Sequence, residues 1–282
     1  MAKYHFLNGT FVTEDQAVLP ITDLSILRGY AVFDYFRIIK GVPLFKELHL
    51  KRFKKSASYL DINLPYSKKE MSNTILKLTK KNKISNGAMR LMATGGDSSS
   101  DGYSVSPPNV FFQAMPYPEF PEHFGTKGVK IMLEPYIREY PLVKSSNYIH
   151  GIMLRKKLKE SGNNFALYHH EGVISESDRS NFFIINQKGA LQTSENNVLL
   201  GISRHNIIEM MREKMPVLVR DITLEELSNA KEAFITSSAK GVMPVVRIDN
   251  NPIGDGQPGE LTLSISAAYE EFIQNYVQAN QG

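Results

Sequence analysis

The chain predicts a mixed α/β (α+β) protein of two domains, and three observations carry that expectation. Segments alternating with period two interleave with segments whose apolar residues recur at helical spacing. Hairpin signals open the sequence. A break, Met115-Pro116-Tyr117-Pro118-Glu119-Phe120-Pro121, holds three prolines in seven residues and suits an extended linker. The expected organisation is a small N-terminal α/β domain over 1–115, a linker over 116–124 and a larger C-terminal α/β domain over 125–282.

Asn8-Gly9, set between Tyr4-His5-Phe6-Leu7 and Thr10-Phe11-Val12, predicts a hairpin because both turn residues tolerate positive φ. A second hairpin runs over 32–39, turns at Lys40-Gly41 and returns over 42–45. Leu50, Phe53, Ala57 and Leu60, at offsets 0, 3, 7 and 10, form one stripe of a helix. Residues 67–82 give another, with Met71, Ile75 and Leu78 inward. Strands are expected at 88–94 and 109–115, separated by the polar stretch 95–102. Past the linker, strands are expected at 129–134, 164–169, 181–186, 190–193, 232–237 and 243–249. Helices are expected over 147–161, from an N-cap at Ser203 to about 214, after Thr223-Leu224-Glu225-Glu226, and over 260–278.

Composition narrows the function. A formal charge of +4, from 33 basic and 29 acidic residues, is too mild to argue for nucleic acid. The basic clusters at 51–55 and 155–159 fall on helical patterns and read as solvated faces. Cysteine is absent, which removes disulfide and thiolate chemistry and zinc–thiolate sites. No apolar run suits a bilayer span, and residues 1–12 do not read as a signal peptide, so a soluble cytoplasmic protein with no metal, nucleic-acid or membrane partner is expected.

Four segments can carry chemistry. Lys144 follows the apolar run Pro141-Leu142-Val143 and precedes a helix start, where partial shielding would lower its pKa and let it form a Schiff base with an aldehyde cofactor. The alternative is a surface lysine. Glu176 stands 32 residues later and reads either as an exposed turn acid or as the carboxylate that keeps a pyridine nitrogen protonated. Leu200-Gly201-Ile202-Ser203-Arg204 places amides and a hydroxyl at a helix start, an arrangement that favours a phosphate. Thr236-Ser237-Ser238-Ala239 offers a second cluster of hydroxyls and amides after a strand.

In their order and spacing these segments resemble the fold-type IV class of pyridoxal-phosphate enzymes, the branched-chain and D-amino-acid aminotransferase family. The resemblance also takes in Phe6-Leu7-Asn8-Gly9, Gly29, Val32-Phe33-Asp34, Phe45-Lys46-Glu47-Leu48-His49-Leu50-Lys51-Arg52, the run Pro244 to Asp249 and the run Ile253 to Gly259, and so covers essentially the whole chain. It implies a two-domain fold with a barrel-like C-terminal domain, pyridoxal 5'-phosphate as cofactor, a cleft shared by the two domains and a homodimer that lends residues across its interface. It implies that Lys144 is the Schiff-base lysine and proton shuttle and that Glu176 holds the pyridinium. Arg52 would bind the phosphate with the Ile202 and Ser203 amides and the Ser203 and Ser238 hydroxyls, and Tyr148 would meet the phenolic oxygen; the alternatives are a surface charge at Arg52 and a tyrosine packed against the helix at Tyr148.

Substrate choice is where the sequence departs from the family. Arg28 stands where an aromatic residue is usual, Asp34 replaces glutamate, and Met92 stands where the D-amino-acid enzymes' Arg-x-His pair would place its histidine. Arg28 of the partner subunit and Arg90 are therefore expected to grip substrate carboxylates, which suits a dicarboxylate. The alternative has Arg28 paired with Asp23 or Asp34. Arg179 is a third candidate, or an ion pair with neighbouring acids. A clamp at Arg28 and Arg90 resembles D-amino-acid transaminases, whereas carboxylate binding at Ser237-Ser238-Ala239 resembles L-branched-chain enzymes, whose turn usually has a glycine where Ser237 stands. The expectation is ping-pong transamination between a D-amino acid of the glutamate or alanine type and a 2-oxo acid such as 2-oxoglutarate. L-branched-chain transamination and aminodeoxychorismate-lyase chemistry are the alternatives. A nucleotide phosphate loop at Gly95-Gly96-Asp97-Ser98 lacks the Gly-Lys-Ser/Thr ending such loops need.

Overall fold

Antiparallel pairing organises the first third of the chain. The computed structural model describes residues 3–98 and 101–281; positions 99 and 100 of the polar 95–102 stretch lie outside the described residues. The chain forms two units, one of Met1–Pro118, Val143–Tyr148 and Gln274–Gly282, the other of Glu119–Leu142 and Ile149–Ile273. The short segment carrying Lys144 belongs to the first unit.

In the first unit, β1 (Tyr4–Leu7), β2 (Thr10–Thr13), β3 (Ala31–Ile39), β4 (Val42–Pro43), β5 (Gly87–Thr94) and β6 (Val110–Met115) form one sheet in the order β2-β1-β6-β5-β3-β4. Every neighbouring pair is antiparallel. The β1–β2 turn puts Asn8 and Gly9 at φ 46° and 95°, the twist that two-residue hairpins need. Helices α1 (Leu24–Leu27), α2 (Lys46–Tyr59) and α3 (Lys68–Lys81) accompany the sheet. Ser67 and Glu70 close a reciprocal capping box at the start of α3. Leu50, Phe53 and Ala57 of α2 and Met71, Ile75 and Leu78 of α3 are buried against Phe6, Val32, Phe36 and Phe112 of the sheet. Each of these side chains larger than alanine contributes about 1.5–3 kcal/mol by leaving water.

Alternation along β3 decides what the site can contain. Val32, Asp34, Phe36 and Ile38 are buried, while Phe33, Tyr35, Arg37 and Ile39 are half-buried on the opposite face. The lysine segment pairs with this strand: the Phe33 amide donates to the Lys144 carbonyl (2.9 Å), and the Ser146 amide donates to the Ala31 carbonyl (2.9 Å). Pro141-Leu142-Val143, expected as an extended run, is a turn, since proline has no N–H for a ladder. Val143 anchors the turn in the core at 1% exposure.

In the second unit, the strands are β7 (Val129–Pro135), β8 (Phe165–His170), β9 (Val173–Ser177), β10 (Asn181–Ile185), β11 (Leu191–Thr193), β12 (Val217–Val219), β13 (Ile222–Thr223), β14 (Glu232–Ser237), β15 (Gly241–Ile248) and β16 (Asn251–Pro252). They run β12-β11-β10-β14-β15-β7-β8-β9-β13, with β16 paired to β15. Parallel pairing occurs at β7–β8, β7–β15 and β11–β12. Helices α4 (His123–Thr126), α5 (Ile149–Glu160), α6 (Ile202–Met211), α7 (Leu224–Ser228) and α8 (Glu260–Asn280) complete the fold. Leu154 and Leu158 of α5 pack on Met132, Ala166 and Tyr168. A second apolar cluster gathers Val129, Ile131, Phe182, Ile184, Ile235 and Val245. Apolar residues on both faces explain why β8 and β10 read as continuous apolar runs. Among the described residues no helix is long and apolar enough to cross a membrane.

Candidate active site

The amine of Lys144 lies over the ring of Phe33, 4.5 Å from its centroid, and the ring of Tyr148 meets the same phenylalanine edge-on at 5.8 Å. One half-buried aromatic on β3 thus positions two of the expected site residues. The Lys144 backbone N–H donates to Ser56 Oγ at 3.1 Å, which ties the lysine to α2 as well as to β3.

Arg52 projects from the same helix and is held by an acid. Its Nε–H donates to Asp34 Oδ2 at 2.9 Å and its Nη2–H to Asp34 Oδ1 at 2.7 Å; His49 Nδ1 lies 2.7 Å from that Oδ1. His49 and Arg52 are three residues apart on α2, which places them on one face. Asp34 is fully buried. Burial alone would raise its pKa, but Arg52 and His49 outweigh that and hold it well below the usual carboxylate range. Burial lowers the pKa of His49 despite the opposing pull of Asp34.

Arg90 lies on β5 directly opposite Tyr35 and beside Gln113, whose Oε1 its Nη1 approaches at 3.4 Å. Arg37, two residues along β3 from Tyr35, stacks over the ring of Tyr117 at 4.7 Å. The Tyr35 hydroxyl is shielded from solvent without a hydrogen-bond partner among the described residues. An unmet buried hydroxyl costs about 1–3 kcal/mol. Arg28 is exposed at the end of α1, with its guanidinium 4.9 Å over the ring of Tyr103. It pairs with neither Asp23 nor Asp34: Asp23 accepts from the Ser25 amide, Thr94 and Asn109. Arg179 is exposed and bonded to Asp178 at 3.2 Å, the ion-pair reading of that residue.

In the second unit Glu176 is a buried strand residue of β9. Its Oε1 accepts from Arg138 Nη1 at 3.1 Å; its Oε2 accepts from the Leu199 amide at 3.1 Å and Asn181 Nδ2 at 3.3 Å. N–H donors thus reach both oxygens of the carboxylate. Asn181 also donates to the Leu199 carbonyl at 2.7 Å, so the acid is tied to the loop that leads into α6. The N-cap of α6 is Gly201, so Ser203, expected as the cap, is the second helical residue. A Cβ at Gly201 would stand 2.0 Å from Asn181 Oδ1, so a larger residue there would have to displace the Asn181 amide. Among the described residues no side chain caps the helix, and Ile202 and Ser203 are buried in its first turn. Ser237 ends β14, and Ser238, Ala239 and Lys240 turn the chain into β15, with the Lys240 amide donating to the Ser237 carbonyl at 3.1 Å.

Five residues near these groups were not read from the sequence: Asp34 and His49 as a grip on Arg52, Arg138 and Asn181 on Glu176, and Lys240. The Lys240 amine donates to Ser180 Oγ at 2.8 Å and lies 4.6 Å from the Phe165 ring centroid. Burial pushes its ammonium down to about 8, with Asp178 opposing.

Residues 31–248 match the family described as amino-transferase class IV. The chain belongs to the class IV aminotransferases. It is 30% identical over 275 residues to a Methanocaldococcus jannaschii protein provisionally named a branched-chain-amino-acid aminotransferase, covering 95% of each chain. It is 27% identical over 282 residues to the D-alanine aminotransferase of Staphylococcus epidermidis, covering 96% of this chain and 98% of that one. A T.th. branched-chain amino acid aminotransferase, solved with pyridoxamine 5'-phosphate, superposes with a TM-score of 0.90 at 25% identity, covering 97% of this chain and 94% of that one. The enzyme is a transaminase and its cofactor is pyridoxal 5'-phosphate. The residues fit that group: a lysine amine for its aldehyde, a buried carboxylate held by three donors for its ring nitrogen, and an uncapped helix start for its phosphate.

Proposed function

We propose that this class IV aminotransferase moves an amino group between a D-amino acid of the glutamate or alanine type and a 2-oxo acid such as 2-oxoglutarate, in a ping-pong cycle. The observation that carries the reading is the sheet face on which the Lys144 amine sits over Phe33 while Arg90 stands opposite Tyr35 on the neighbouring strand. Cations on that face suit carboxylates. Relatives named D-alanine aminotransferases match nearly the whole chain, which supports the same reading. Pyridoxal 5'-phosphate supplies a ring that withdraws electrons from the substrate Cα–H bond. Lys144 Nζ would hold the cofactor's aldehyde end and would be the group that accepts the proton from the substrate Cα. Glu176 would face the ring nitrogen and favour its protonated form. Arg52 of the first unit, and the Ile202 and Ser203 amides and the Ser203 and Ser238 hydroxyls of the second, would be the donors for the phosphate, and Tyr148 would serve the phenolic oxygen. Ser237 and Ala239 line the substrate on the second unit.

The carboxylate clamp takes Arg90 from one copy and Arg28 from a second. The exposure of Arg28, and of Ile149, Ile152 and Met153 on α5 at 66–73%, supports a homodimer. A monomer in sedimentation velocity would remove the partner's Arg28 from the clamp.

Incubating the holoenzyme with D- and L-alanine, glutamate and leucine, and following loss of the bound cofactor's visible absorbance, tests the choice of substrate. Reaction with D-glutamate and D-alanine is expected. Reaction with L-leucine alone would assign the chain to L-branched-chain transamination. Glu176→Gln, which keeps the shape and loses the charge, should lower the single-turnover rate with D-glutamate about 10²–10³-fold, the scale seen when one preorganised electrostatic partner is removed. A rate within twofold of the parent would take Glu176 out of that role.

A further inference from the structure

We propose that Lys240 positions the substrate turn: its amine fastens Ser237-Ser238-Ala239 to the neighbouring β9–β10 turn through the Ser180 hydroxyl. Lys240 acts through the turn and not on the substrate, so its role rests on the reading of Ser237 and Ala239 as substrate contacts and deepens it.

Register sets the two turns side by side. β10 and β14 pair antiparallel, and their ladder starts with Asn181 opposite Thr236. One residue further out, Ser180 closes the β9–β10 hairpin on Ser177, and Ser237 leads into the β14–β15 loop. Ser238, Ala239 and Lys240 make that loop three residues long, and Gly241 at φ 64° supplies the left-handed residue such loops use. The Lys240 amide donates back to Ser237 at both its carbonyl (3.1 Å) and its Oγ (3.3 Å). Backbone and side chain of one residue therefore hold the loop from two directions.

The side chain spans the gap between the turns. Its Nζ donates to Ser180 Oγ at 2.8 Å and lies 4.6 Å from the ring centroid of Phe165 and 6.0 Å from that of Phe120. Ser180 is buried, which shields the bond from competing water. The hairpin that receives it has its own fixings: the Ser177 amide donates to the Ser180 carbonyl at 2.8 Å, and the Asp178 amide to the Ala166 carbonyl at 3.1 Å. Burial pushes the Lys240 ammonium down to about 8, with Asp178 opposing and Arg179 adding to the shift, while Phe165 and Phe120 bring no charge. A charged N–H···O bond is about twice as strong as a neutral one, so the fastening is strong at neutral pH and weakens as pH rises through about 8.

The holoenzyme at saturating cofactor is assayed with the amino acid that the parent uses best among D- and L-alanine, glutamate and leucine. Lys240→Met keeps most of the stem and loses the amine, and Ser180→Ala removes its acceptor. Each is expected to raise KM for the amino acid about tenfold at pH 7, the scale of a hydrogen bond to a charged group, with kcat within about twofold. The double variant should raise it no further, because both changes cut one bond. The factor for Lys240→Met should shrink to about threefold or less by about pH 9.5, where the parent amine is neutral too. An unchanged KM in either single variant, effects that multiply in the double variant, or a factor constant with pH overturns the role of Lys240 and leaves the transaminase reading intact. Ser180→Ala alone decides the KM if Lys240→Met fails to fold. A parent inert to every one of these amino acids removes the transaminase reading, and the role of Lys240 with it.

Discussion

Lys144→Ala is expected to abolish the visible absorbance of bound cofactor and to lower kcat by about 10⁴-fold, the upper range for a positioned proton-transfer group. The loss is large because one amine has two tasks, holding the aldehyde carbon at rest and moving the Cα proton during turnover. Alanine can do neither, and water cannot substitute in a site whose donors are fixed by packing. The surroundings of Lys144 argue that the variant folds: the segment is held by backbone bonds from Phe33 and Ser146 and by buried Val143, none of which needs the lysine side chain. Lys240 is the control. It lies in the second unit near Phe165, and burial pushes its ammonium down to about 8, so a larger share of it is neutral amine at neutral pH than for an ordinary lysine. Lys240→Met should retain the band. Absorbance that survives in Lys144→Ala and vanishes in Lys240→Met would transfer the role to Lys240.

How far the sequence could take this assignment depends on what each residue's signal is made of. Strand and helix periods depend on local pattern, so the α2 stripe and the Asn8-Gly9 hairpin were legible. Glu176 was not placed on a strand, because Ser175-Glu176-Ser177-Asp178 is polar throughout and its β9 pairing comes from distant β8 and β13. Ser203 reads as a cap because serine is a good one, yet the close approach of Asn181 makes Gly201 the cap, and that approach is a tertiary fact. The acid at Asp34 did carry a signal: it falls in phase with Val32, Phe36 and Ile38, and a charge in a buried register must be paired. His49 and Arg52, three apart on the next helix, were the partners to look for. Tyr35 and Arg90 could not have been joined without the β3–β5 register, since they lie 55 residues apart in sequence.

Asp34→Asn is expected to destabilise the protein by about 3–5 kcal/mol, the range for breaking a buried ion pair from one side. The amide keeps the shape but cannot accept from Arg52 at two oxygens and from His49 as well, so a buried guanidinium is left uncompensated. The pH dependence has a definite sign. Because the folded pKa of Asp34 lies below its unfolded value of about 3.9, its stabilisation is complete at neutral pH and declines as pH falls through the folded value. The gap between parent and variant in urea midpoint should therefore be full at pH 7 and narrow progressively below about pH 4. The same substitution separates a structural grip from a functional one. Asp34 holds the Nε and Nη2 edge of Arg52, so a loosened fork should weaken pyridoxal 5'-phosphate binding more than binding of pyridoxal, which has no phosphate to lose. Equal weakening of both ligands would confine Asp34 to folding, and a destabilisation below about 1 kcal/mol would show that Arg52 finds another acceptor when the carboxylate is gone.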